Sequence, residues 1–172
     1  MFVRVKKIKG NNYAYLVQNE WTPWGSRQRV TKYLGKTHTP TRYSEETTPL
    51  PAGMKETITA AVVQELKNHG FVYNGGILRS EELTVNLHDN TVRLKNKNAV
   101  LALNEGYLCD HTLNQLLSFS PEEHPDKNAK KLANLVLETG LKLSHEQFVH
   151  LFEQTKQHPQ NIKEATRLGE RS

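Results

Sequence analysis

The chain has 172 residues, 36% of them hydrophobic and 24% charged, with a net charge of +5. That length accommodates one domain with a proper core, or a small module joined to a domain of about 100 residues. No window approaches the roughly 18 apolar residues of a membrane span, the basic start MFVRVKKIKG lacks the apolar stretch of a signal peptide, and a lone Cys109 excludes an internal disulfide or a cysteine-rich zinc site. A cytoplasmic protein without a membrane partner is the expectation.

The charge is unevenly spread. Residues 1–42 hold nine Lys or Arg against the single acidic Glu20, a local charge of +8, whereas residues 43–172 hold fourteen against seventeen, or −3. A positive field confined to one end points to an anionic partner for that end, most often a nucleic-acid backbone.

Residues 1–36 read as three strands. FVRVKKIK (2–9) is β-branched and alternates Val3 and Val5 with Arg4 and Lys6; Ile8 falls out of phase, which predicts a bulge or the strand end near Lys7. Gly10-Asn11-Asn12 predicts a turn, YAYLV (13–17) a second strand, WTPWG a second turn and SRQRVTKYL (26–34) a third strand stopped by Gly35. Period-2 alternation places Val3, Val5, Ala14, Leu16, Val30 and Leu34 on one face. It places Arg4, Lys6, Tyr13, Tyr15, Arg27, Arg29 and Tyr33 on the other. So small a sheet must rest its apolar face on something else. Trp21 and Trp24 flank a type I or II turn cornered by Pro23; the pair is expected to pack over the hairpin end, the alternative being that one indole anchors the loop and the other meets a base or a partner.

Residues 37–53, rich in proline and threonine and without periodicity, read as a linker. A helix follows over 54–69, carrying Met54, Ile58, Val62 and Leu66 on one stripe, with Gly70 as its stop. Residues 71–103 predict an antiparallel meander, with turns at Asn74-Gly75-Gly76, His88-Asp89-Asn90 and Asn96-Lys97-Asn98 and the doubly apolar run AVLAL (99–103) at its centre. Asp110 is the expected cap of a short helix to Phe119. Pro125 sets the start of the next helix near Asp126, and it runs to Gly140. Ser144 with Gln147 forms a capping box, and Leu143 with Phe148 a hydrophobic staple, for a last helix ending near His158 before a polar tail, 159–172. The fold class is α+β: a basic three-stranded antiparallel module (1–36), a linker (37–53), and a domain of helix, antiparallel meander and C-terminal helices (54–158).

On the basic strands, guanidinium and ammonium groups can meet phosphates while aromatic rings stack on bases. The candidates are Arg4, Lys6, Lys7, Lys9, Arg27, Arg29 and Lys32 for phosphates, with Tyr15, Trp24 and Tyr33 for stacking. FVRVKK, the Gly-Asn turn, YAYLV and RQRVTKYLG resemble the N-terminal segment of some insertion-sequence transposases of the DDE class. The resemblance covers about one fifth of the chain and implies DNA contact by this segment. It carries over no catalytic residue: that class needs a longer domain with three separated metal-binding carboxylates, which residues 54–172 do not resemble.

Signatures of catalysis are weak. Gly75-Gly76 lacks the following helix of a phosphate loop. Cys109, Asp110 and His111 are merely adjacent, and Cys109 reads as a buried structural residue. His145 and His150 diverge on a helix, His88-Asp89 belongs to a turn, and the pairs Glu45-Glu46, Glu81-Glu82 and Glu122-Glu123 fall in the linker or at element ends. The final helix pair does not fit a helix-turn-helix reader, because Glu146 occupies a core position and the second helix is not basic. The expectation is therefore non-enzymatic nucleic-acid binding through residues 1–42, without cofactor or metal. DNA is favoured over RNA by the resemblance, and the C-terminal helices serve a protein partner or a homodimer. The alternative is an interaction adaptor whose basic face docks an acidic protein.

Overall fold

The computed structural model describes residues 1–156. Its first three strands are β1 (Phe2–Ile8), β2 (Asn11–Thr22) and β3 (Gly25–His38). The first turn is Lys9-Gly10, both with positive φ (49° and 80°), one residue earlier than the Gly-Asn-Asn signal suggests, since Asn11 already pairs with Ile8. β1 pairs with β2 without a register break and ends at Ile8, so strand end rather than bulge accounts for the chain near Lys7.

Gly35 does not stop the third strand. It holds φ at +143°, and a Cβ there would lie 2.6 Å from the Asn98 carbonyl oxygen. The missing side chain lets β3 approach β8 (Lys97–Leu103), and Lys36, Thr37 and His38 pair in parallel with Ala99, Val100 and Leu101. The N-terminal strands are therefore part of one larger sheet. After α1 (Met54–Asn68), the chain makes β4 (Val72–Asn74), β5 (Ile77–Ser80), β6 (Leu83–Asn86), β7 (Thr91–Leu94), β8 and β9 (Gly106–Leu108). The strand order is β1-β2-β3-β8-β7-β6-β5-β4, nine strands with β9 also on β8, antiparallel except at β3–β8. The expected three-stranded module thus becomes the wing of a nine-stranded sheet, and the doubly apolar AVLAL run sits where wing and meander join. Local alternation could not reveal this, because a parallel partner some sixty residues away leaves no local mark.

The two cores follow from that junction. Ile58, Val62 and Leu66 of α1 pack with Leu78, Val85, Val92, Leu101 and Leu103 of the meander and with the C-terminal helices. A second cluster, Ala14, Leu16, Leu34, Val100 and Cys109, with Val3, Val5 and Tyr107 at its margin, seats the wing's apolar face. A fully buried Leu or Val stabilises by about 1.5–3 kcal/mol, enough to hold a sheet that could not stand alone.

Of residues 37–53, expected as a linker, Thr37 and His38 belong to β3, and 39–53 lie bound against α1 and, at Gly53, against Gln154. Tyr43 N–H donates to the Asn68 carbonyl at 2.8 Å, Thr48 N–H to Gln64 Oε1 at 2.8 Å, and Gly53 N–H to Gln154 Oε1 at 2.9 Å. The pin is Glu65, only 1% exposed. Its carboxylate accepts from Arg42 Nη1 (3.0 Å), Asn104 Nδ2 (2.8 Å) and the Lys142 N–H (3.0 Å), and lies 3.0 Å from His69 Nε2. His69 Nδ1 in turn faces the Pro40 carbonyl at 3.2 Å. Burial alone would raise the Glu65 carboxyl, but the hydrogen bonds from His69, Asn104 and Lys142 and the Arg42 charge outweigh it and hold the group below its ordinary value.

The remaining helices are α2 (Asp110–Leu117), α3 (Pro125–Thr139) and α4 (145–156). Cys109, not Asp110, caps α2, in a reciprocal arrangement with Thr112. Asp110 instead binds the Val92 N–H at 2.7 Å and Arg93 Nη1 at 2.7 and 2.8 Å, tying α2 to β7. Pro125 is the first residue of α3, and Gly140 ends it with φ +80°. The Ser144–Gln147 capping box forms as expected, with Gln147 N–H to Ser144 Oγ at 3.1 Å and Ser144 N–H to Gln147 Oε1 at 3.2 Å. The expected helix end near His158 and the polar tail lie outside the described residues.

Candidate nucleic-acid interface

The geometry of the wing is set by two irregularities in β3. Ala14 pairs with Gly35 but Tyr15 with Tyr33, skipping Leu34; Leu16 pairs with Lys32 but Val17 with Val30, skipping Thr31. Each extra residue shifts the alternation of β3 relative to β2. Uniform period-2 alternation therefore assigns the distal half of β3 to the wrong faces. Val30, expected in the core, is 43% exposed opposite Val17. Arg27 and Arg29 pair with Glu20 and Gln18, which share the Leu16 side of β2, so they stand on the face opposite the tyrosines.

One face thus collects Arg4, Lys6, Tyr13, Tyr15 and Tyr33. Tyr33 sits 5.4 Å from Tyr15 and 6.4 Å from Tyr13, ring centre to ring centre, and Lys6 Nζ lies 5.4 Å over the Tyr15 ring. Burial, then the neighbouring Tyr15 and Tyr13, raises the Tyr33 phenol above its ordinary value. Arg4 donates across the sheet to Gln28 Oε1. The other face carries Lys7, Lys32, Arg27 and Arg29, while Lys9 occupies the first turn. Arg29 Nη1 pairs with Glu20 Oε1 at 3.0 Å, and this bond, followed by one from Gln18, lowers the Glu20 carboxyl. Among the described residues, Arg29 is the only cation of β1–β3 with a carboxylate in ion-pair reach. Lys32 lies toward α2: burial lowers His111, and the charges of Lys32 and the N-terminus add to it against Glu138. The ten candidates are therefore distributed over two faces and two turns, Lys9 in the first and Trp24 in the second, rather than gathered on one face.

Beyond Val17, the last β2 residue to pair with β1, β2 and β3 continue as a two-stranded arm over 18–29. Five paired positions at about 3.4 Å each make it about 17 Å long. At its end Thr22 Oγ1 donates to the Gly25 carbonyl at 2.7 Å and accepts from Trp24 N–H at 3.3 Å. Trp24 keeps a negative φ, as in a type I turn, and Gly25 at φ +112° leads out of it. Trp21 and Trp24 are each 87% exposed, so the pair does not pack over the hairpin end as expected and neither indole anchors the loop. Arginine alternation and Pro-cornered turn were legible in the sequence; the exposure of both indoles was not, because it depends on how far along β2 the pairing with β1 reaches.

The other cysteine, histidine and carboxylate candidates have local roles. Cys109 is buried at the start of α2, His88 Nε2–H donates to the Gly75 carbonyl at 2.6 Å, and His150 Nε2–H to the Pro51 carbonyl at 2.8 Å. Glu45 pairs with Arg42 and Lys142, and Glu82 with Lys95. Among the described residues no group of three or more His, Cys, Asp or Glu is placed to hold a metal ion, and no helix is long and apolar enough to cross a membrane. An open cleft of about 950 Å³ runs between residues 44–48, the Lys55–Lys67 side of α1 and Tyr73. No protein-family model matches the chain, and no curated protein or solved structure matches it.

Proposed function

We propose that this chain is a non-enzymatic nucleic-acid-binding protein whose N-terminal wing holds the phosphate backbone. The observation that carries the reading is the distribution of unpaired charge. Arg4, Lys6, Lys7, Lys9, Arg27 and Lys32 are solvent-exposed on a wing with one acidic residue, and they project from both faces of a narrow sheet. Cations on both sides of a ribbon suit a polyanion that flanks it, whereas a docked acidic protein would be met on one face. DNA is the preferred ligand on the strength of the transposase resemblance of residues 1–36. The meander and helices act as the scaffold that fixes the wing, and the face of the C-terminal helices is left for a protein partner or a second copy.

The test is an amide-resolved NMR titration with a short DNA duplex and with an acidic peptide. Shifts confined to residues 2–38, with DNA only, are expected. Shifts centred on α2–α4, or a response to the acidic peptide alone, would replace this reading with the adaptor.

A further inference from the structure

The wing offers two aromatic sets, and they differ in what their ring faces are doing. Tyr15 has Lys6 over its ring and Tyr33 beside it, and Tyr33 is shared with Tyr13, so this cluster is largely engaged with itself. Trp21 and Trp24 are the only tryptophans of the chain, and each leaves 87% of its surface in water. An indole is among the largest apolar groups a fold can bury. The first core buries Phe71 and Phe119 among its aliphatic residues, yet both indoles are left outside, at the end of an arm that reaches beyond β1. The turn that presents them is stiffened by Pro23 and by the Thr22 hydroxyl bonding on both sides of it. Exposed apolar groups so placed mark a contact site, and the surrounding charge selects its occupant: Arg27, Arg29 and Lys32 follow on the same strand, against Glu20 alone.

We infer that Trp21 and Trp24 are the base-contacting element of the protein, and that the ligand they select is nucleic acid with unpaired bases. This rests on the nucleic-acid reading above and sharpens it. A base in an intact duplex must first be unstacked before an indole can cover its face, whereas an unpaired base presents that face freely. The cations of the wing then hold the backbone of whatever strand the arm engages, and the tip discriminates unpaired from paired. The tyrosine cluster, by contrast, keeps a packing role.

Because both tryptophans lie at the arm's end, intrinsic fluorescence reports on that element alone. The experiment titrates the full chain with a single-stranded thymidine oligonucleotide, a fully paired duplex of equal length, and vesicles of phosphatidylserine and phosphatidylcholine. Anisotropy of the labelled oligonucleotides is followed in parallel for the wild type and for the Trp21→Ala/Trp24→Ala variant. Quenching by the single strand beyond that by the duplex is expected. The variant should lose about tenfold in single-strand affinity for each indole removed, as base stacking on an aromatic side chain implies. Its duplex affinity and salt dependence should be unchanged. Salt-dependent binding that is equal in wild type and variant, without quenching, overturns this inference and leaves the backbone-binding reading in place. Absence of binding to either oligonucleotide at low salt overturns both. A spectral shift with vesicles alone assigns the indoles to a lipid surface and likewise overturns the inference.

Discussion

Glu65 and Glu20 are carboxylates of opposite kind. Glu65 is buried and accepts from three segments at once, so removing it strands Arg42, His69 and Asn104 around an empty acceptor. Loss of one partner from a buried ionic network costs about 3–5 kcal/mol; Glu65→Ala should lower the urea unfolding free energy by that much. Its pH dependence has a definite sign. The folded group is held below its unfolded value of about 4.3, so its stabilisation is present above that pH and is lost as pH falls through the folded value. The stability gap between wild type and Glu65→Gln, followed from pH 7 to pH 3, should narrow toward acid; a constant gap would contradict the assignment. Glu20, by contrast, occupies Arg29 at the surface. Glu20→Gln frees that guanidinium for a phosphate, so the slope of log affinity against log salt for duplex DNA should steepen by about 0.9.

Among the elements, β3 decides the architecture. Gly35 permits its approach to β8, so Gly35→Ala would drive a Cβ into the Asn98 carbonyl and force a conformation that alanine rarely adopts. Overpacking of this kind costs about 1–3 kcal/mol. In hydrogen exchange, amides of residues 2–38 should lose protection in the variant while those of α1 and α3 keep it. How much of this was legible in the sequence follows the range of the interactions. The Ser144–Gln147 box, the Gly140 stop and the α1 stripe were readable because each is settled within one or two helical turns. The skips at Thr31 and Leu34 were not, since each exists only relative to the register of β2. They moved Arg27, Arg29 and Val30 to faces that alternation alone assigns wrongly. The bound course of residues 39–53 was hidden for a similar reason: its partners Gln64, Glu65 and Asn68 lie on a helix whose polar residues read as solvent-facing.

Across the whole molecule, a continuous sheet, a second core at the wing's base and the Glu65 pin make the N-terminal strands part of one folded body. Thermal unfolding should therefore show one transition by both far-ultraviolet circular dichroism and calorimetry, while tryptophan emission changes little because both indoles are exposed throughout. The division of labour also appears at this scale: a body of slightly negative charge carries a wing of strong positive charge. That arrangement underlies the central claim that the wing binds a nucleic-acid backbone. It is tested most directly by the salt dependence of binding to labelled DNA, measured for the wild type and for Lys6→Glu/Arg27→Glu, which removes one exposed cation from each face. Six to eight phosphate contacts correspond to a log–log slope of about −5 to −7. A slope in that range is expected for the wild type, with both a shallower slope and a large loss of affinity in the variant. A flat salt dependence, or a variant that binds as tightly as the wild type, would contradict the claim.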